Sequence, residues 1–124
     1  AASIGHEGIV EVLLQHSDEW DLNARDIKGN TALAWAAGKG HSMGVETLLK
    51  RRDVNPDMAN YSGQTPLWLA AESGHEGVVK TLLKRSDVSP DKADTEYIQT
   101  PLLRAVLNQC EGVVKILLER KDVN

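Results

Sequence analysis

The chain has 124 residues, 41% hydrophobic and 26% charged, with three Trp, two Tyr, one Cys and no Phe. A net charge of −4 argues against phosphate-backbone binding as the main role, since such binding draws on surplus Lys and Arg. No apolar run approaches the ~20 residues of a membrane span, and one cysteine, Cys110, cannot form an internal disulfide.

The Ala, Leu and Val content suits short, closely packed helices rather than one aromatic core. The first predicted helix runs from Glu7 to about His16, with Ile9, Val10, Leu13 and Leu14 at helical spacing. Trp20 follows in a long connection, where it is expected to fold over neighbouring helix ends. Asp26–Asn30 reads as a turn, with Gly29 supplying the unusual backbone angle. A helix over Thr31–Gly38 follows, in which Trp35 is read as core, and then one from Ser42 to about Arg51. Asn60–Gln64 is a second turn. Thr65 caps the next helix, with Pro66 at its first position, where a fixed φ helps and the missing N–H costs nothing. That helix ends at Ser73-Gly74. Another starts near His75-Glu76, with Val78, Val79, Leu82 and Leu83 as its stripe and Lys84-Arg85 at its negative end. The last turn, Thr95–Gln99, carries an extra residue upstream and has Ile98 where glycine is expected. Its helices begin at Thr100 and at Glu111, the latter running to about Arg120.

These segments repeat. Leu-Leu pairs fall at 13–14, 48–49, 82–83 and 117–118; Gly-His falls at 5–6, 40–41 and 74–75, with Gln109-Cys110 in the fourth place. Thr-x-Leu opens an inner helix at Thr31, Thr65 and Thr100, and Asp-Val-(Asn/Ser) closes units at 53–55, 87–89 and 122–124. The pattern resembles the ankyrin repeat, with its T-P-L-H-x-A signature and period of about 33 residues. The longer unit, with Asp-Val-Asn-Pro-Asp at 53–57, is similar to that of fungal multi-repeat proteins. Helices this short are not stable alone, and each buries its stripe only against a neighbour. The expected fold is therefore all-α, a single ankyrin-repeat solenoid of about three and a half helix–turn–helix units with β-turn fingers. The units are approximately 1–22 (partial), 23–53, 54–87 and 88–124. Interrupted units at both ends suggest a segment of a longer protein.

No catalytic constellation stands out. His6, His41 and His75 occupy equivalent places on successive units, too far apart to share a zinc ion at ~2.0–2.1 Å. A structural hydrogen bond beside each turn is the expectation. His16 has no partner that the sequence names. Cys110 replaces a histidine at a structural turn, and nothing near it in sequence forms a triad pattern. The basic pairs at outer-helix ends, such as Lys84-Arg85, read as a solvated face complementing helix dipoles rather than a ridge for an anion. No enzyme, cofactor or metal site is expected, nor a nucleic-acid or membrane partner. An intracellular location, cytoplasmic or nuclear, is expected.

What the resemblance implies is protein binding, because partners of this family commonly sit on the concave face of fingers and inner helices. The matching positions here include Ile27, Lys28, Tyr61, Ser62 and Tyr97 on fingers, and Lys39, Glu72 and Leu107 on inner helices. Trp68 and Leu103 fall where the family usually has histidine. With Tyr61, Tyr97 and Leu107 they would form one apolar-aromatic patch, unless Trp68 and Leu103 merely pack between units. The expected function is a non-catalytic protein–protein interaction module. The alternative is a structural spacer or assembly segment, with end-to-end self-contact through uncapped termini.

Overall fold

The computed structural model describes residues 25–51, 54–85 and 87–119. The helix expected over Glu7–His16, Trp20, His6, His16, the partial first unit and residues 52–53, 86 and 120–124 lie outside them. Six helices follow in order: α1 (Ala32–Lys39), α2 (Ser42–Leu49), α3 (Pro66–Ser73), α4 (Glu76–Leu83), α5 (Pro101–Leu107) and α6 (Glu111–Glu119). The described residues contain no strand.

The inner helices begin as the sequence dictates. Thr31, Thr65 and Thr100 are extended N-caps whose hydroxyl oxygens accept from the backbone N–H of Ala34, Trp68 and Leu103 at 3.2, 3.1 and 3.2 Å. Each bond satisfies one of the donors that a helix start leaves unpaired. The helices end at Gly40 and Gly74, both left-handed at φ 76° and 75°. Their N–H groups bond carbonyls at the helix end. In the last unit Gln109 takes the glycine's place and adopts φ 59° itself.

The helices stack in two rows. Inner helix α1 packs on α3 and α3 on α5; outer helix α2 packs on α4 and α4 on α6; within each unit the inner helix also packs on its outer partner. One hydrophobic core threads all of them: Leu33, Ala37, Val45 and Leu48, then Leu67, Ala70, Val78 and Leu82, then Ala105, Val113 and Leu117. Small residues at Ala36, Ala37, Ala70, Ala71 and Ala105 let the inner row approach closely.

The rows interlock at the turns. A Cβ on Gly40 would meet the His75 ring at 2.7 Å. The same ring reaches back to the previous unit, with Nε2 lying 3.3 Å from the carbonyl oxygen of Gly38. A carbonyl only accepts, so Nε2 carries the proton in that bond. The expected role of this histidine, a hydrogen bond beside the turn, is thus a bond between units. Cys110 repeats the arrangement beside Gly74, its Sγ 3.9 Å from the carbonyl of Glu72. On the outer row, Arg85 donates through Nη1 to the carbonyl of Leu49 at 3.0 Å and holds Asp87 through a 2.8 Å ion pair. This guanidinium satisfies an orphan carbonyl at the end of the neighbouring α2 rather than of its own helix, and so joins two units where a solvated face was expected.

The paired leucines are not equivalent. Leu48, Leu82 and Leu117 are fully buried, whereas Leu49 and Leu83 are half-buried and Leu118 is 63% exposed. The first member of each pair carries the stacking and the second lies on the flank. Leu82→Ala is expected to lower stability by ~2–5 kcal/mol. Leu118→Ala should stay within about 0.5 kcal/mol of the parent, as surface changes do. Denaturant melts of the two variants check the difference.

Candidate functional site

Three finger turns stand beside the inner helices, and each is organised by one side chain. Asp26 Oδ1 accepts from the backbone N–H of Lys28 and of Asn30, both at 2.9 Å. Asn60 Oδ1 accepts from Ser62 and Gln64 at 3.0 Å each. Asp94, buried, accepts from Gln99 at 2.7 Å and from Tyr97 at 3.1 Å. A short polar side chain bonding the backbone two residues on is the mechanism of an Asx turn. The fingers also join one another: Tyr61 N–H donates to the carbonyl of Lys28 at 3.1 Å, and Thr95 N–H to that of Ser62 at 2.9 Å. Asn60 Nδ2 adds a bond to Asn30 Oδ1 at 3.0 Å.

The third finger differs, as its sequence suggests. It spans one more residue between Asp94 and Gln99, and Ile98 stands at φ 56° with its side chain 72% exposed. A β-branched residue rarely adopts that conformation. The extra residue and the two Asp94 bonds hold the turn in this altered form.

The inner-helix positions sort themselves differently from expectation, and two corrections follow. Trp68, expected either as a surface anchor or packed between units, is 2% exposed and takes the second role; its Nε1 donates to the carbonyl of Gln99 at 2.8 Å, tying α3 to the finger of the next unit. A buried indole needs such a partner. Trp35, expected in the core, is 42% exposed. Its Nε1 donates to Asp26 Oδ2 at 3.3 Å, and Lys39 Nζ lies 5.1 Å from its ring centroid. The helical geometry explains the exchange. Leu33, Ala34, Ala36 and Ala37 are the buried residues of α1, and position 35 faces away from them. Arg104 holds the same register in α5, ion-paired to Glu72 at 3.2 Å and 5.8 Å from the Trp68 ring centroid. A charged residue in that register was the signal that the register faces outward.

Among the other expected residues, Ile27 is 94% exposed and Tyr61 and Tyr97 66% each. Lys28 and Lys39 are exposed, and Ser62 and Glu72 are half-buried. Leu103 and Leu107 are exposed on α5. The structure gathers Ile27, Lys28, Lys39 and Glu72 into one groove with Asp26, Trp35 and Leu69, running between the fingers and α1 and α3, of about 500 Å³. Tyr61 sits beside it, packed against Gly29 with the Arg25 guanidinium 5.7 Å from its ring centroid. Ser62 and Tyr97 belong to the next two fingers. The single apolar patch expected from Tyr61, Trp68, Tyr97, Leu103 and Leu107 loses Trp68, which is buried.

The described residues hold no group of three or more His, Cys, Asp or Glu side chains placed for a metal. No helix among them is long and apolar enough to cross a membrane. The Asp26 carboxyl is held below the usual aspartate range by the N–H of Asn30 first, then by those of Lys28 and the Trp35 indole. A depressed pKa means that the stabilisation is complete above the usual aspartate range and fades as pH falls through the lowered value. An NMR titration should show Asp26 protonating later than an ordinary aspartate on acidification. Asp26→Ala should flatten the acid limb of the stability profile.

A family model described as ankyrin repeats, three copies, matches residues 1–58 and 52–124. A search of curated proteins returns no match.

Proposed function

The chain belongs to the ankyrin-repeat family, whose members generally act as protein–protein interaction modules, and from that premise we propose that it binds a protein partner, without catalysis, along the fingers and inner helices. The observation that carries this is where exposed aromatic surface lies. Trp35, Tyr61 and Tyr97 are the exposed aromatic side chains among the described residues, and each stands on a finger or an inner helix. Rigid, exposed aromatics of this kind are the usual anchors of an interface. The frame beneath them is stiff, because every finger is bonded internally and to its neighbour.

The partner surface we propose includes Ile27, Lys28, Lys39, Tyr61, Ser62, Glu72 and Tyr97, with Trp35 replacing Trp68 as its aromatic centre. Leu103 and Leu107 extend it toward the last unit.

A second reading, end-to-end assembly as a spacer, is favoured by one feature. Val106 is 51% exposed, while Ala71, which holds the same register one unit earlier, is buried. With Val114 and Leu118 it lines an open groove on the last unit. Light scattering separates the readings: assembly predicts a mass rising with protein concentration, and a monomer at millimolar concentration contradicts it.

Trp35→Ala combined with Tyr61→Ala is expected to change stability by less than about 1 kcal/mol, since neither residue carries the core. It should abolish capture of the partners that the wild-type protein retains in a side-by-side affinity purification. Retention of every partner by the double variant would contradict the proposed face.

A further inference from the structure

The groove between the first finger and the inner helices α1 and α3 has a chemistry that narrows the partner, and an inference from it rests on the binding face proposed above. Its floor is apolar: Trp35, the half-buried Leu69, Ala34 and Gly38. Ile27, 94% exposed, stands at its rim. Two carboxylates line it, and both are engaged. Asp26 accepts from the N–H groups of Lys28 and Asn30 and from the Trp35 indole. Glu72 is ion-paired to Arg104. Lys28 and Lys39 line the same space with exposed side chains, the Lys39 ammonium over the Trp35 ring. Arg25 flanks the groove over Tyr61. With the Arg104–Glu72 pair neutralising itself, Lys28, Lys39 and Arg25 face the one Asp26 carboxylate, a local excess of positive charge on a chain whose net charge is −4.

That local excess of positive charge selects a partner by sign. We infer that the groove binds an extended acidic peptide segment of another protein, seating one apolar side chain against Trp35 and Leu69 and directing flanking carboxylates to Lys28 and Lys39. A carboxylate near Lys39 keeps the ammonium on the indole face, so charge and aromatic contact support each other. A basic segment would meet Lys28, Lys39 and Arg25 with the Asp26 carboxylate alone to offset them, because Glu72 is already paired with Arg104.

The test uses a random dodecapeptide display library selected on the whole chain, followed by anisotropy titrations of the enriched peptides at low and physiological salt. The expected peptides carry several Asp or Glu around one Leu, Ile, Phe or Met. Their affinity should fall with rising salt, as attraction between exposed charges does. The Lys28→Glu, Lys39→Glu double variant should weaken them by about tenfold or more and abolish the salt dependence, and Trp35→Ala should weaken them as well. Circular dichroism should show both variants folded, since all three positions are exposed. Neutral or basic enriched peptides, a second copy of the chain displacing them, or a selection that enriches nothing would overturn the inference. Peptides lost in Trp35→Ala but indifferent to the charge reversal would overturn the acidic specificity and leave the binding face standing. Peptides that bind both variants like the parent would overturn both.

Discussion

Close approach at the turns is the constraint on which the other features depend. The backbone at Gly40 and at Gly63 is left-handed, and the space where a Cβ would stand is taken by the next unit, the His75 ring at 2.7 Å and the Thr95 amide at 2.6 Å. Both demands point to glycine, one for conformation and one for room. The neighbour must arrive at a fixed distance along the chain to fill the gap, so the repeat length and the turn geometry determine each other. The threonine caps, the alanine-lined inner row and the His75 bond to Gly38 are each consistent with that spacing.

A fold built from neighbour contacts separates its tasks by position. Within each unit the buried registers face the adjoining units, while the fingers and the other side of each inner helix face out. Stability is then close to a sum over units and their junctions. Surface chemistry can vary on the outward side without entering that sum. The finger after Asp94 shows the tolerance: it holds an additional residue and a left-handed isoleucine, yet Thr95 still bonds Ser62 as Tyr61 bonds Lys28.

Most of the frame was legible in the sequence because local chemistry and global fold agree there. Thr-Pro at 65–66 and at 100–101 caps two inner helices, the Leu-Leu pairs mark the outer ones, and Gly74 ends α3 where the turn requires it. The binding side was less legible, and the two tryptophans show why. Trp35 and Trp68 lie one register apart on consecutive inner helices, and a helix rotates by 100° between adjacent positions. Composition marks both as apolar; only the register separates a junction residue from a surface one. Arg104 carries that information, because a guanidinium in this register marks the side that faces away from the core. The difference between Leu82 and Leu83 was hidden for the same reason, since adjacent leucines look alike until the neighbouring helix is in place.

The register shared by Trp35, Leu69 and Arg104 has one further consequence. An indole, an isobutyl group and a guanidinium occupy it in turn while the helices beneath keep the same stacking. A side chain there is a letter that the scaffold displays without reading. The molecule therefore offers one rewritable character per unit, set in a row, and a lineage could alter what it recognises by changing these characters while the spine that carries them stays as it is.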